Sequence, residues 1–381
     1  MNILFCYGNW MNPRNGGVQK VSDTLARYFA NHGHSLYYIT WQYEENDNYH
    51  FPALTYHLPD KAILFTKENK EYYHWLLSEL KIDVLLNHDA SNYRNRFFLD
   101  TGIHKAKKIS VYHTDPLNGL NSVSELSKSY VLLINRHFPS IIHWLKVQKK
   151  RSEISYLLKK SHKLVVLSQE FKKQIGHQLK INSVKIEAIN NPTVYSGNHR
   201  PVVKKKQLLF VARMELAVKR PDKMLLIWSK LEKDFNDWKL IFLGDGPDRK
   251  TIEEIASSLS VKNVDFKGFA DPIPYYEDSS IICMTSDYEG FGLVLIEAMQ
   301  FGTVPIAFNN WISLKDIIVH NETGILVETR NIDDYIVKLK DLMINEDKRN
   351  QISVAARSYA KRFHIDTIGS QWLNLLNQLE N

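Results

Sequence analysis

Short apolar runs, each followed by an amphipathic helical stretch, recur along all 381 residues, and this alternation limits the possible folds more than any other feature. A strand buried on both faces reads as an unbroken apolar run, and the helix that returns over it reads with a 3.6-residue period. MNILFCYG is such a run, and it precedes GVQKVSDTLARYFANHG, where Val18, Val21, Leu25, Tyr28 and Phe29 share one helical face. SLYYITW, DVLLNHD, KKISVYHTD and KLVVLS are the next strand candidates. The rhythm stops at NNPTVYSGNHRPVVKKKQ, Asn190 to Gln207, where two prolines, a glycine and a basic run make a turn-rich connector. It then restarts with LLFVAR, WKLIFLGDG, VDFKGF, IICMTS and TVPIAF, separated by helical stretches. The pattern predicts an α/β chain of two Rossmann-like, doubly wound parallel-sheet domains. The expected boundaries are 1–190, a linker at 191–206, and 207–362. A helical tail at 363–381 carries Trp372, Leu375, Leu376 and Leu379 on one side.

Composition narrows the function classes. At 44% hydrophobic and 24% charged residues the chain is globular rather than disordered or coiled coil. Cys6 and Cys283 sit in apolar runs with no metal-like spacing and read as core residues. Lys+Arg less Asp+Glu is 49 − 42, or +7, which permits an anionic ligand or surface without demanding nucleic acid. There is no leader-like start and no apolar run of about 18 residues, so the expected compartment is the cytoplasm. One segment, Ser124 to Lys163, departs from the alternation. It is basic and helical apart from a break at Pro139, with Phe138, Ile141, Ile142, Trp144 and Leu145 on an apolar side. Such a segment suits peripheral contact with an anionic membrane surface on the cytoplasmic side.

In a doubly wound sheet, ligands sit outside the carboxyl ends of the strands. After IICMTS comes Asp287-Tyr-Glu-Gly-Phe-Gly-Leu-Val-Leu-Ile-Glu-Ala-Met299, which opens a helix. Gly290 and Gly292 let the backbone approach a ligand. The N–H groups of Gly292, Leu293 and Val294 then face outward at the positive end of the helix, a cradle for a diphosphate. Glu289 and Glu297 flank it and are suited to accept sugar hydroxyls. Arg213 and Lys219 project from the loop after LLFVAR and could neutralise a leaving diphosphate. Gly16 and Gly17 precede the first helix like a phosphate-approaching turn, without a GxGxxG pattern. His113 ends another strand. No Asp-x-Asp is present, and Asp287-Tyr-Glu289 is the nearest approach, so neither a metal nor any other cofactor is expected.

These residues resemble the retaining GT-B glycosyltransferases of family 4, the group 1 glycosyl transferases. Glu289 to Glu297 is similar to that family's paired glutamates in an E-G-F-G setting. LLFVARMELAVKRPDKML resembles its GR…KG…LL segment, with Ala212 for the usual glycine and Arg220-Pro221 for Lys-Gly. IFLGDGPDR, with Gly244, resembles its GDGP segment, and Gly16-Gly17-Val18 its N-terminal glycine loop. The resemblance implies a GT-B fold whose two domains face a central cleft. Catalytic roles fall on Glu289, His113, Arg213 and Lys219. The nucleotide sugar is held by Arg213, Lys219, Glu289, Gly290, Phe291, Gly292, Leu293, Val294, Glu297 and Gly244, with Glu297 on the ribose. Gly16 and Gly17 line the acceptor side, and the tail returns to the first domain. The implied reaction is metal-independent, retaining transfer of a sugar, most simply from a UDP-sugar, to a glycan or lipid-linked acceptor in cell-surface polysaccharide or glycolipid synthesis. A GDP-mannose donor, a UDP-sugar 2-epimerase and a non-catalytic sugar-nucleotide binder are the alternatives.

Overall fold

The computed structural model describes residues 1–13, 16–43, 49, 51–118, 120, 139–195 and 203–380. The chain divides into two compact units, Met1–Pro192 with Ile365–Asn381, and Thr193–His364. The first holds a seven-stranded sheet: β1 Asn2–Tyr7, β2 Ser35–Thr40, β3 Leu54–His57, β4 Val84–Asn87, β5 Lys107–Tyr112, β6 Lys163–Val166 and β7 Ile186–Ala188. The second holds six: β8 Lys205–Val211, β9 Lys239–Leu243, β10 Val264–Phe266, β11 Ser279–Met284, β12 Val304–Phe308 and β13 Ile325–Val327. Every strand pair is parallel, in the orders β3-β2-β1-β4-β5-β6-β7 and β10-β9-β8-β11-β12-β13. The strand order therefore reverses between β1 and β4 in one unit and between β8 and β11 in the other. The connections leaving these neighbours go to opposite sides, and a crevice opens at the carboxyl ends of the strands.

The central strands are buried throughout. β11 has all six residues inside, and β4 all four. In the second unit the core gathers Trp228, Phe210, Phe242, Met224 and Tyr335 against β8 and β12. In the first, Tyr73, Phe97 and Phe98 pack beneath β1 and β4. The helix Gly17–Asn31 (α1) buries Val21, Leu25 and Phe29 as its periodicity predicts, while Tyr28 is only half-buried. The edge strands β3, β7 and β13 are only three or four residues long and do not stand out in the sequence. The tail forms one helix, set off by a turn from the helix before it. A helix ends at Ala360, a tight turn spans Lys361–Phe363, and a second helix, Ile365–Glu380 (α2), follows. Trp372 of α2 meets Phe29 of α1 edge-on with ring centroids 6.5 Å apart, so this tail belongs to the first unit. Thr193 donates its N–H to the Phe363 carbonyl at 2.9 Å, so the two ends of the second unit are hydrogen-bonded neighbours. Much of the connector and of the basic segment, 196–202 and 121–138, lies outside the described residues. The described part of the basic segment is the helix Pro139–Lys160. It buries Ile154 and Leu157 but leaves Ile141, Trp144 and Leu145 each more than half exposed.

Candidate functional site

In the second unit, two loops leave the β8/β11 reversal. One runs from Ala212 to Arg220 into the helix Pro221–Leu231; the other runs from Thr285 to Gly292 into the helix Leu293–Gln300. Backbone and side-chain bonds stitch them together. Asp287 N–H donates to the Val218 carbonyl (2.8 Å), and the Thr285 hydroxyl to the Arg220 carbonyl (2.7 Å). Asp287 accepts from Lys223 (2.6 Å) and from Arg220 (3.0 Å). Burial pushes the Asp287 carboxyl up, but the bonds and charges of Lys223 and Arg220 outweigh it and hold the carboxyl below its usual range. Asp287 is thus consumed in fixing the loops.

Inside this frame Lys219 and Glu289 meet. The Lys219 ammonium donates to both Glu289 oxygens, at 2.8 and 2.7 Å, and Ser286 donates to one of them at 2.8 Å. Their side chains are only 22% and 12% exposed, so the pair is shielded from solvent. Gly292 begins the following helix with φ 97°, a left-handed conformation natural to glycine. No side chain caps that helix, so the amides of Leu293 and Val294 have no side-chain acceptor there. Asn310 donates to the Ser286 carbonyl (2.9 Å) and Ser313 to the Gly290 carbonyl (3.2 Å), anchoring the glycine turn from outside. Phe291 turns its ring inward, 6.0 Å from that of Phe363. Arg213 stands exposed beyond β8 without an ion pair among the described residues.

The structure treats the two glutamates differently. Glu289 is partly buried in the loop against Lys219, whereas Glu297 is 3% exposed and accepts from the Tyr276 hydroxyl at 2.9 Å. Burial, then the nearby Glu297 charge, pushes the Tyr276 phenol far up, so it remains a donor. Gly244 is a matter of backbone clearance. At φ 129° a Cβ there would fall 2.0 Å from the Ala212 carbonyl oxygen. The GDG turn locks onto the first loop through Ala212 N–H to Leu243 (3.1 Å) and Met214 N–H to Asp245 (3.0 Å).

In the first unit, the β1/β4 reversal carries its own cluster. Gly16 precedes α1 in an extended conformation, φ 162°, open to any residue, and Gly17 is the first, exposed residue of that helix. Gly8 N–H donates to Asp89. Arg94 bonds Asp89 (3.0 Å) and Asn9 (2.7 Å), and its side chain fills the space a Cβ on Gly8 would need. His113, at the end of β5, is 8% exposed, and its Nε2 lies 2.8 Å from Nδ1 of His88 at the end of β4. The two rings lie end to end, centroids 5.0 Å apart and planes 14° apart, and the His88 ring is near-parallel to that of Phe5 at 5.4 Å. Burial drives the His113 pKa down to about 4; burial and then its neighbour push His88 well below the ordinary value, so both are neutral near pH 7. Sequence reasoning passed over Ser22, Arg94, Tyr276, Ser286 and the His88 contact. Ser286 acts on Glu289 only three residues on; the others become visible only once residues distant in the chain are brought together. Among the described residues no three His, Cys, Asp or Glu side chains converge as metal ligands, and no helix is long and apolar enough to cross a membrane.

Two doubly wound domains with a cationic loop and a glycine-opened helix at one reversal make a GT-B protein. A variant of TarM from S. aureus, solved with fondaparinux, alpha-GlcNAc-glycerol and UDP, superposes with a TM-score of 0.76 over 99% of both chains at 16% identity. The chain belongs to the group 1 glycosyltransferases: the family model "Glycosyl transferases group 1" matches residues 194–359, and "Glycosyltransferase Family 4" matches 15–193. An uncharacterized glycosyltransferase of Haemophilus influenzae is 27% identical over 373 residues, 95% of this chain and 96% of the relative. The Campylobacter jejuni GalNAc-alpha-(1->4)-GalNAc-alpha-(1->3)-diNAcBac-PP-undecaprenol alpha-1,4-N-acetyl-D-galactosaminyltransferase is 26% identical over 314 residues, 80% of this chain and 84% of that one.

Proposed function

We propose that this glycosyltransferase moves a sugar from a nucleoside diphosphate sugar, a UDP-sugar by preference, to a glycan or lipid-linked acceptor of the cell surface, with retention of configuration. The observation that carries the proposal is the shielded Lys219–Glu289 pair at the β8/β11 reversal, beside the uncapped amides of Leu293 and Val294. A diphosphate draws Lys219 away from Glu289 and takes the charge of Arg213 and the helix end. Glu289, released, accepts from the donor sugar. Glu297 meets the ribose beneath it. Charge developing on the leaving phosphate is stabilised by these fixed donors rather than by a metal, and Asp287, already held by Arg220 and Lys223, is a poor metal ligand. The leaving phosphate oxygen takes the acceptor proton as the acceptor attacks the same face, which is how an α-linked donor gives an α-linked product. The UDP in the TarM complex and the alpha linkage named for the Campylobacter relative support this donor and outcome.

The acceptor is assigned to the first unit, at Gly16 and Gly17, and His113 keeps the catalytic role that the resemblance implies. The exposed Ile141, Trp144 and Leu145, on a helix that also carries Lys146, Lys149, Lys150 and Arg151, support peripheral seating on an anionic inner leaflet, where a lipid-linked acceptor would be met. The deciding experiment is a thermal-shift panel of UDP-glucose, UDP-galactose, UDP-N-acetylglucosamine, UDP-N-acetylgalactosamine and GDP-mannose. The ligand that binds the native state raises its stability by RT ln(1 + [L]/Kd). A shift with GDP-mannose and none with any UDP-sugar would overturn the donor assignment.

A further inference from the structure

Ser22, His88 and His113 form a line whose hydrogen bonds can be assigned proton by proton. The Ser22 hydroxyl donates to the Val18 carbonyl at 2.9 Å, one turn back on α1. Its oxygen also lies 3.2 Å from His88 Nδ1. With its one proton given to Val18, that oxygen can only accept, so His88 Nδ1 bears a hydrogen. The same Nδ1 lies 2.8 Å from His113 Nε2. A bare Nδ1 would instead either face the Ser22 lone pairs or, if the hydroxyl turned from Val18 toward it, receive two donors on one lone pair. The His88 N–H therefore points at His113 Nε2, which must be the bare nitrogen. A neutral imidazole carries one N–H, so the His113 proton is at Nδ1. That atom is buried and has no hydrogen-bond partner among the described residues. The two imidazoles lie end to end with their planes 14° apart, so an in-plane N–H of one is directed at the in-plane lone pair of the other.

We propose that His88 is a positioning residue that fixes His113 as its Nδ1–H tautomer, so that His113 offers the bound sugar a hydrogen-bond donor and not a lone pair. The role toward the sugar rests on the glycosyltransferase reading above; the tautomer does not. An isolated neutral imidazole in water prefers the proton on Nε2, so the Nδ1–H form at this site needs a cause, and the donating His88 supplies it. The partner recognised is then an oxygen with free lone pairs, such as a sugar hydroxyl or ring oxygen. A cation or an amide N–H would find nothing to bond.

The test is ring-nitrogen NMR on the full chain labelled with 15N-histidine, with the His113 signals assigned by their loss in His113→Gln. The expected wild-type pattern at pH 7 is a protonated Nδ1 and a bare Nε2. His88→Phe keeps a planar ring but removes the donor, and His113 should shift toward the Nε2–H form. His88→Gln restores an N–H donor and should return the Nδ1–H pattern. A wild-type His113 protonated at Nε2, or one indifferent to His88→Phe, would overturn the proposal. UDP titrated into the same samples reads the second unit separately. Absence of UDP binding with the expected tautomer present would count against the donor assignment and leave the tautomer standing.

Discussion

Glu289→Gln tests whether the donor competes for Lys219. The substitution keeps the side chain's size and one acceptor oxygen but removes its charge. In the native pair both carboxylate oxygens lie within 2.8 Å of the ammonium, and neither side chain is more than 22% exposed. At an effective dielectric of about 20, opposite charges about 3 Å apart attract by roughly 5 kcal/mol before desolvation. Desolvation and side-chain ordering offset most of that, leaving a net of about 1–2 kcal/mol. A diphosphate that recruits Lys219 must first displace this interaction. Without it, UDP should bind about 5–30-fold more tightly to the variant, while sugar transfer falls at least about tenfold because the acceptor for the sugar hydroxyl is weakened. Isothermal titration of UDP at fixed salt, beside a transfer assay, reads the two effects separately. Lys219→Ala supplies the contrast, weakening both. UDP affinity unchanged or reduced in Glu289→Gln would refute the competition, and unchanged transfer would remove Glu289 from the site.

Gly244→Ala places a methyl 2.0 Å from the Ala212 carbonyl at φ 129°, and should cost about 3 kcal/mol or more by thermal melting. Gly33→Ala is its control, with φ 81° and nothing within 4 Å, and should cost about 1 kcal/mol. Tyr276→Phe removes a hydroxyl that Glu297 accepts from and should destabilise by about 1–3 kcal/mol in urea titration. The unfolded chain protonates His113 near pH 6.5, whereas the folded one resists protonation down to about 4. Stability from this group is therefore full above about pH 6.5 and drains by about 3 kcal/mol as pH falls to 4, and His113→Gln should flatten that slope in melts run across the range. Anionic vesicles should retain the protein at low salt and release it at high salt, and Trp144→Ala should weaken retention in a flotation assay; no retention at low salt would exclude the surface.

The fold class was legible because the strands that define it are buried on both faces and read as unbroken apolar runs; IICMTS and TVPIAF are examples. What escaped were three of the four short edge strands, β3, β7 and β13. β3 is buried at none of its four positions, too little to mark a strand. The candidate site was legible where it depends on local chemistry, as with Gly292 opening a helix directly after Glu289. It was not legible where it depends on contacts across the sheet. Lys219 finds Glu289 seventy residues on, and His113 finds His88 on a neighbouring strand, because parallel strands bring distant loops to one edge. The environments of the two glutamates diverge for the same reason: nothing near Glu297 in sequence announces that Tyr276 will cover it. In the basic segment Ile141, Trp144 and Leu145, read as part of one apolar side, stay exposed, while Ile154 and Leu157, further along the same helix, reach the core.

The hydrogen bond between Thr193 and Phe363 has a consequence for synthesis. The second unit is nested within the first, opened and closed at one spot on the backbone. As the chain leaves the ribosome, the seven strands of the first unit emerge early but must wait for α2, which follows the whole second unit, before Phe29 gains its Trp372 neighbour. The nested unit has all its strands in hand before then. The unit translated first is therefore the one completed last, and a nascent chain would hold a finished second unit while Phe29 of the first still lacked its Trp372 cover.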